Sequence, residues 1–339
     1  MARTITVAAA QMGPILSESP NPGGEGPRAA AMKRMLDLLE DAAAKGAQLV
    51  VYPELALTTF FPRAMLTDPA EVAALFEPES PAGPSIVDSP HLKPLLARAS
   101  SLGVDVSIGY AERWTGEDGI TTDYNTAIYY SAASGNVLGK YRKVHLPGRT
   151  TLLPEGSAQQ LEKYYFTPGN LGFQAFRVPD RHQAICGMLI CNDRRWPEAW
   201  RGLGLQGVEL VLCGYNTSDY KPQEAGSVEE QTEMALLHHH ISCQGGSYTN
   251  ACFGVHVAKA GVEAEGPGGG LIGGTVIYDP LGCKVGETTT LRDELLVATL
   301  DLDLCKRQKA TIFNFANHRR VEHYGRIVEQ VGVEEPPLA

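Results

Sequence analysis

Three short segments of the chain each place a reactive side chain at the end of a strand-like run. Glu54 comes just after the apolar run Leu49–Tyr52, Cys191 comes directly after Ile185–Ile190, and Lys143 ends a run of alternating polarity. Ligands of layered α/β proteins bind at the carboxyl ends of strands, so these positions are suited to chemistry. A carboxylate, an ammonium group and a thiol that met there could act as base, electrophile and nucleophile in acyl transfer.

Cys191 is the candidate nucleophile. The strand before it gives way to a helix with Pro197 in its first turn, which puts the thiol at a strand-to-helix elbow near backbone N–H groups. Arg194 and Arg195 make the surroundings electropositive, and we expect them to favour the thiolate. A single cysteine is more often buried and inert. Here the two arginines and the reactive residues at other strand ends favour a nucleophile.

Glu54 and Lys143 are the candidate base and electrophile. A glutamate just past a buried strand is either a surface charge or a carboxylate removed from water, and the second kind holds a proton more readily, as a general base must. Alternation along the other segment places Tyr141, Lys143 and His145 on one face. A solvated edge strand would also carry lysine and arginine, so this segment is informative only together with the other two.

Two other motifs are weaker candidates. His238-His239-His240 could suggest a metal site, but consecutive helical residues do not share a face, and no acidic partner lies at the spacing of zinc proteases. The glycine-rich segment Gly266–Gly270 lacks the strand before it and the helix after it that a phosphate-binding loop requires. We therefore predict no metal and no cofactor.

The composition is that of a globular protein with a large core: the 339 residues are 43% hydrophobic and 20% charged. The formal net charge of −10 argues against nucleic acid as a partner, because phosphate binding needs clustered lysine and arginine. Seven scattered cysteines, and no signal-peptide pattern in Met1–Ala10, indicate a reducing compartment, which we expect to be the cytoplasm. No apolar stretch approaches the length that spans a bilayer, so no membrane partner is predicted.

Helical and strand patterns alternate along the chain, which favours a layered α/β sandwich. No composition break marks a boundary, so residues 1–339 are predicted to form a single domain, with a core of about 4–324 and a loose tail at 333–339. Loops are predicted at Ser17–Pro27, Glu224–Ser227 and Gly261–Gly270, and helices at Arg28–Ala44, His91–Leu102, Pro197–Leu205 and Glu229–Ser242. Strands are predicted at Thr4–Ala10, Leu49–Tyr52, Val104–Ala111, Asn125–Ser131, Val137–Lys143, Arg181–Ile190, Glu209–Cys213, Ser247–Ala258, Gly273–Tyr278 and Leu295–Leu300.

Together, the three segments resemble the nitrilase superfamily of carbon–nitrogen hydrolases, whose signature is a Glu–Lys–Cys triad in that chain order. The matching motifs are Pro53-Glu54, Tyr141–Leu146 and Ile190–Asp193, and the similarity extends from about Thr4 to about Tyr324. Within the superfamily, further motifs look like those of the N-carbamoyl-D-amino acid amidohydrolases, namely Glu54–Pro62, Cys191–Glu198, Gly214–Thr217 and Ile312–Phe315.

The resemblance implies a four-layer α-β-β-α sandwich that pairs into homodimers or homotetramers. It also implies hydrolysis of an N-carbamoyl-D-amino acid to the D-amino acid, carbon dioxide and ammonia, with a small carboxylate-bearing molecule as the substrate. Another amidase or a ureidopropionase-like hydrolase of the superfamily is the alternative. A non-catalytic binding protein on the same fold would be supported by loss of a triad residue, and all three are present.

The same resemblance assigns roles to individual residues. Glu54 is the general base, Lys143 stabilises the oxyanion, Cys191 is the nucleophile, and Glu162 positions the lysine and the substrate. The substrate-binding positions are Arg194 and Arg195 for the carboxylate, Asn192 for the oxyanion hole, and His145, His238 and Asn216 in the pocket. Relatives carry histidine where this chain has Gln160, which leaves one local hydrogen bond open.

Overall fold

The computed structural model describes residues 2–15 and 23–338, so most of the predicted loop Ser17–Pro27 lies outside the described residues. The strands are β1 Thr4–Gln11, β2 Leu49–Val51, β3 Glu77–Glu79, β4 Asp105–Thr115, β5 Thr121–Ser131, β6 Asn136–Arg142, β7 Ala175–Val178, β8 Ala184–Ile190, β9 Leu210–Tyr215, β10 Phe253–Ala258, β11 Ala260–Val262, β12 Gly270–Ile272, β13 Val276–Tyr278, β14 Lys284–Glu287 and β15 Glu294–Asp301. The helices are α1 Glu25–Ala44, α2 Pro69–Ala73, α3 Lys93–Leu102, α4 Glu162–Tyr165, α5 Pro197–Gly204, α6 Val228–Asn250, α7 Leu304–Ala310, α8 Phe315–His318 and α9 Gly325–Glu329. Short 3₁₀ turns cover Phe61–Arg63, Ile86–Asp88, Cys191–Arg195 and Val321–His323.

Two mixed β-sheets form the centre of the fold. The first has the strand order β15-β1-β2-β4-β5-β6, with β3 beside β4, and its strands β1, β2 and β4 run parallel. Because β5 is antiparallel to both β4 and β6, strand β6 also ends at the edge where β2 ends. The second sheet has the order β14-β13-β10-β9-β8-β7, with β8, β9 and β10 parallel. Residues that follow these parallel strands are therefore gathered at a common edge of each sheet.

Side chains of the sheets alternate between an inner core and two outer cores. Val7 and Ala9 of β1 point into the apolar layer between the sheets, whereas Ala8 packs with α1 and α3 on the outer side. On the far side of the second sheet, Leu189 and Val211 pack against α5. The layers are therefore helices, sheet, sheet and helices, and the predicted four-layer α-β-β-α sandwich is confirmed.

The predicted start of the strand at Ser247 is wrong. Helix α6 continues to Asn250, and β10 begins only at Phe253. Glycine usually marks the end of a helix, but Gly246 lies inside α6, where a Cβ would meet the Trp200 ring at 2.1 Å. The glycine therefore serves the close packing of α6 on α5 and does not end the helix.

Smaller differences occur at strand ends. Strand β8 begins at Ala184 and not at Arg181, because His182 has a positive φ of 54° and belongs to a turn. The loop predicted at Gly261–Gly270 is paired at both ends, as β11 and β12. The described tail residues 333–338 form neither helix nor strand. None of the helices in the described part of the chain is long and apolar enough to cross a membrane.

Candidate active site

Glu54, Lys143 and Cys191 come together just beyond the carboxyl ends of β2, β6 and β8. The Lys143 ammonium group donates to Glu54 Oε1 at 2.7 Å and to Glu162 Oε2 at 2.5 Å. All four side chains are buried. The structure thus gathers the residues predicted to be catalytic, with Glu162 supplied by the short helix α4 and the other three by strand ends.

Four donors hold the Glu54 carboxylate in place. Oε1 accepts from Lys143 and from Asn125 Nδ2 at 2.8 Å, while Oε2 accepts from the Asn216 backbone N–H at 3.0 Å and its Nδ2 at 3.2 Å. The Glu54 backbone also lies close to the second sheet, since a Cβ on Gly214 would be only 2.4 Å from Glu54 N. A fixed carboxylate suits a base that must exchange protons with several groups in turn. Asn125 was not predicted, because nothing but its place in β5 distinguishes it.

One ammonium group shared by two buried carboxylates sets the charge of the cluster. Burial favours a neutral amine, but the negative forms of Cys191, Glu162 and Glu54 outweigh it and raise the pKa of Lys143. Burial, together with the charge of Glu54, raises the pKa of Glu162 to about 7, although Lys143 opposes this shift. The sequence left open whether Gln160 makes the hydrogen bond expected of the relatives' histidine. Gln160 does make a hydrogen bond here, since its Nε2 donates to Glu162 Oε1 at 2.8 Å.

Cys191 lies at a strained elbow between β8 and a 3₁₀ turn. Its φ of 48° is in the left-handed region, which residues with a Cβ rarely adopt. Its thiol donates to the carbonyl of Asn216 at 3.1 Å. Arg194 lowers the pKa of Cys191, as expected of a group that favours the thiolate, but burial and the charge of Glu54 raise this pKa more than Lys143 and Arg194 lower it. The thiol must therefore lose its proton to a base during attack.

The two adjacent arginines have different environments. Arg194 is buried, and it donates to the Cys191 carbonyl at 2.6 Å, to His239 Nδ1 at 3.1 Å and to Thr217 Oγ1 at 3.0 Å. Arg195 is exposed and lines the cavity that reaches Cys191. The two arginines were predicted to act together, but Arg194 supports the elbow and Arg195 faces solvent.

The other predicted pocket residues lie at different depths. His145 contacts Asp193 Oδ1 through Nδ1 at 2.8 Å, and its ring stacks on Trp196 at 4.9 Å. Asn192 is half-buried on the elbow and donates from Nδ2 to the carbonyl of His145 at 3.1 Å. His238 is exposed and lines a neighbouring cleft of about 860 Å³. In the part of the chain that the structure describes, no three His, Cys, Asp or Glu side chains converge as a metal site requires.

Asp193 joins the two sheets at the site, and sequence reasoning missed it. Its Oδ1 accepts from the backbone N–H of His145 at 2.9 Å as well as from the ring, and its Oδ2 accepts from Tyr141 Oη at 2.8 Å and from Ile190 N at 3.1 Å. These donors flank Lys143 on one sheet and precede Cys191 on the other. A buried carboxylate with several hydrogen bonds thus fixes the electrophile relative to the nucleophile. Its position two residues after the cysteine was the only available signal.

We expect Asp193→Asn to lower kcat by about 100-fold, the typical cost of displacing a reacting group by about 1 Å. An amide must turn an N–H group toward at least one of the present donors, so the strand ends that carry Lys143 and Cys191 should shift apart. Steady-state kinetics and thermal unfolding of the variant measure the two effects separately. A variant with reduced stability and wild-type kcat would show that Asp193 serves the fold alone.

Glu162 should make stability depend on pH. Its folded pKa is raised to about 7 from the usual 4.5, so the folded protein holds a proton that the unfolded chain has released. The stabilising contribution is therefore complete below about pH 4.5 and is lost as the pH rises through about 7. Relative to Glu162→Gln, we expect the wild-type unfolding free energy to fall by about 2–3 kcal/mol between about pH 5 and about pH 8. Denaturant unfolding at both pH values measures this, and equal pH dependence in both proteins would contradict the raised pKa.

A cavity of about 390 Å³ leads from the site to the surface. Cys191 lies on its wall, and the charged lining residues are Arg149, Arg195, Lys221 and Glu224. The cavity is of the size that small-molecule substrates require. The nucleophile is thus accessible to a small organic molecule although the triad itself is buried.

A buried thiol beside a carboxylate, and a lysine between two glutamates, set in an α-β-β-α sandwich, are the arrangement expected of a cysteine hydrolase. Residues 6–310 match the family described as carbon–nitrogen hydrolase. The chain therefore belongs to the carbon–nitrogen hydrolase family of the nitrilase superfamily. Its chemistry is the hydrolysis of carbon–nitrogen bonds other than peptide bonds.

Similar proteins cover most of the chain. It is 30% identical to an N-carbamoylputrescine amidase from Arabidopsis thaliana over 285 residues, which are 83% of this chain and 85% of that protein. It is 28% identical to a citrullinase from Francisella tularensis over 291 residues, 85% of this chain and 89% of that one. A carbon–nitrogen hydrolase from Helicobacter pylori has a similar structure, with a TM-score of 0.74 and 21% identity, covering 96% of this chain and 99% of its own. At 21% identity, the structural similarity establishes the fold alone.

Proposed function

We propose that the protein hydrolyses N-carbamoyl-D-amino acids to the D-amino acid, carbon dioxide and ammonia. A ureido substrate is supported by the relatives that are named for N-carbamoylputrescine. The D configuration is supported by the motifs Cys191–Glu198 and Gly214–Thr217, which resemble those of N-carbamoyl-D-amino acid amidohydrolases. Another amidase of the superfamily, acting on a different small amide, is the alternative.

The charge of the cavity is the observation that carries a carboxylate-bearing substrate. Three cations line the cavity against one acid, and Lys221 pairs with that acid, Glu224, at 2.9 Å. The charges of Arg149 and Arg195 are therefore uncompensated among the lining residues. A guanidinium group can bind a carboxylate through two parallel hydrogen bonds, whereas a cationic substrate would be repelled. We assign the carboxylate contact to Arg195, and to Arg194 the support of the elbow.

The acylation step follows from the geometry of the triad. Glu54 takes the proton of Cys191 as the sulfur attacks the ureido carbonyl carbon, and this carbonyl oxygen gains a negative charge. The Lys143 ammonium group and the backbone N–H groups of the elbow, including that of Asn192, stabilise the oxyanion. Glu54 then returns its proton to the terminal nitrogen. The carbon–nitrogen bond breaks, ammonia leaves, and a thiocarbamate remains on Cys191.

Hydrolysis of this thiocarbamate completes the cycle. Glu54 removes a proton from water as the water oxygen attacks the same carbonyl carbon, with Lys143 again beside the oxyanion. Cys191 leaves and recovers its proton. The released carbamate loses carbon dioxide and yields the amino acid. A ureido carbonyl is a poor electrophile because two nitrogens donate electrons to it, which explains the need for a pre-organised cation.

The deciding experiment is ammonia release from N-carbamoyl-D-phenylalanine, its L-enantiomer and the cation N-carbamoylputrescine, with Cys191→Ala as the control. We expect release from the D form, little from the other two, and none from the variant. Arg195→Ala should raise KM for the D form more than it lowers kcat. Turnover of N-carbamoylputrescine or of an uncharged amide, without turnover of the D form, would remove both the carbamoylase and the role of Arg195.

Self-association and location are also proposed. Helix α6 presents exposed apolar side chains at helical spacing, Met234, Leu237, Ile241 and Tyr248, and such surfaces mark protein contacts. They support a homodimer or homotetramer, which light scattering after size-exclusion chromatography measures directly. A monomer at assay concentration would contradict this proposal.

All seven cysteines are free thiols, which supports a reducing cytoplasmic compartment.

A further inference from the structure

Two loops form the outer part of the cavity, and each is next to active-site residues in the chain. The first loop, residues 148–160, lies between Lys143 and Glu162 in the chain. The second loop, residues 217–227, follows Asn216 and ends at the start of α6. Both loops contribute lining residues to the cavity that reaches Cys191. Their separation therefore sets how wide this cavity is at its outer end.

The side chain of Gln223 makes direct hydrogen bonds between the two loops. Gln223 Oε1 accepts from the backbone N–H of Ala158 at 3.0 Å, and Gln223 Nε2 donates to the carbonyl of the same residue at 3.0 Å. This paired contact resembles one rung of a β-ladder, made by an amide side chain. Both residues line the cavity, so the contact closes part of its wall.

Apart from Gly268, which accepts from Ser218 Oγ at 3.3 Å and lies beside Ala158, the two loops are held by separate contacts. In the first loop, Gln159 is bonded to its own loop: Oε1 accepts from Leu153 N at 2.8 Å, and Nε2 donates to the Leu153 carbonyl at 3.2 Å. The second loop is held by Gln231 of α6, whose Oε1 accepts from Lys221 N at 2.9 Å and whose Nε2 donates to backbone carbonyls of Lys221, Glu224, Ala225 and Gly226. Loss of the Gln223 contact should therefore separate the loops without unfolding either one.

We propose that Gln223 is a specificity-determining residue, because its two hydrogen bonds to Ala158 limit the size of the substrate group that lies in the outer cavity. This inference rests on the proposed function only for the identity of the substrate. The two hydrogen bonds between Gln223 and Ala158 control access to Cys191 whatever the substrate is. Each neutral hydrogen bond contributes about fivefold to such an equilibrium, so loss of both favours the open arrangement by about 25-fold.

The first test uses access to Cys191 and needs no substrate. Wild type, Gln223→Ala and Gln159→Ala are alkylated with iodoacetamide and with a bulky iodoacetamide dye, and mass spectrometry gives the rate at each cysteine. Gln159 is the matched control, since it also lines the cavity and makes a similar pair of backbone contacts, but within one loop. Cys283 is the exposed cysteine and serves as an internal reference.

We expect the ratio of bulky to small reagent at Cys191 to rise about fivefold or more in Gln223→Ala, and to stay near wild type in Gln159→Ala. Gln223→Glu keeps the acceptor but loses the Nε2 donor, so it should give an intermediate ratio. The rates at Cys283 should not change. An unchanged ratio in Gln223→Ala, or an equal rise in Gln159→Ala, would overturn the proposal.

The second test uses substrates. The ratio of kcat/KM for N-carbamoyl-D-tryptophan to that for N-carbamoyl-D-alanine should rise about fivefold in Gln223→Ala relative to wild type. An unchanged ratio would overturn the size limit even if access to the thiol changes. If the wild type hydrolyses neither compound, the proposed function fails, and the alkylation ratios still decide whether Gln223 closes the cavity.

Discussion

Lys143→Met is expected to abolish turnover and to lower the unfolding free energy by about 3–5 kcal/mol at neutral pH. The ammonium group lies between Glu54 and Glu162, and all three side chains are fully buried. Its removal leaves two carboxylates facing each other without a cation, so at least one of them must take up a proton. The loss of stability should therefore be smaller at about pH 5 than at about pH 8, because protonation costs less at low pH. Urea unfolding at both pH values and ammonia release measure the two effects.

The double variant Lys143→Met/Glu162→Gln is the matched control. It removes the second negative charge and leaves Glu54 with its donors from Asn125 and Asn216, so much of the lost stability should return. Turnover should not return, because no ammonium group remains to stabilise the oxyanion. Wild-type stability of the single variant would contradict the buried charge cluster. Recovered turnover in the double variant would exclude Lys143 as the electrophile.

Glu54→Gln is expected to lower kcat/KM by about 1,000-fold or more, near the upper end of what a general base contributes. The raised pKa of Cys191 leaves a neutral thiol that needs a base for its attack. The new amide also fits poorly, because its N–H group must face either Lys143 and Asn125 or the N–H of Asn216. Steady-state kinetics measures the loss, and the alkylation rate of Cys191 shows whether deprotonation of the thiol is the step affected.

Glu112→Gln is the matched control for the loss of a buried carboxylate. Glu112 is buried in β4 and accepts from Arg142 at 2.6 and 2.8 Å and from Thr126 at 2.6 Å, outside the active site. This variant should lose stability but change kcat/KM little. An equal loss of activity in both variants would mean that Glu54 matters through folding, and more than a tenth of wild-type activity in Glu54→Gln would exclude it as the base.

The triad and the order of layers could be predicted because both depend on local pattern. Glu54 and Cys191 each follow a buried strand, and alternation placed Lys143 on the face of its strand that turns toward the site. Chain order and strand ends suffice for this, since the parallel strands of a layered fold gather their carboxyl ends at one edge. The family followed from the same three motifs.

The properties that depend on neighbours distant in the chain could not be predicted. The sequence placed arginines beside Cys191, which favour the thiolate. Burial between the two sheets and the charge of Glu54 nevertheless raise the pKa of Cys191, so the thiol keeps its proton. The end of α6 was misplaced because the glycine signal is local, while the packing of Gly246 on Trp200 is not.

The sequence by itself therefore determined which family the chain belongs to, and it predicted which side chains meet in the candidate active site. Only the tertiary structure decided that Asp193 bonds both Tyr141, near Lys143, and Ile190, before Cys191, that Arg195 and not Arg194 lines the cavity, and that Gln223 bonds Ala158 in the wall of this cavity. The physical reason is that charge state, burial and hydrogen-bond partners are set by the distances between side chains. Those distances are fixed by the packing of the two sheets, and they cannot be read from the spacing of residues along the chain.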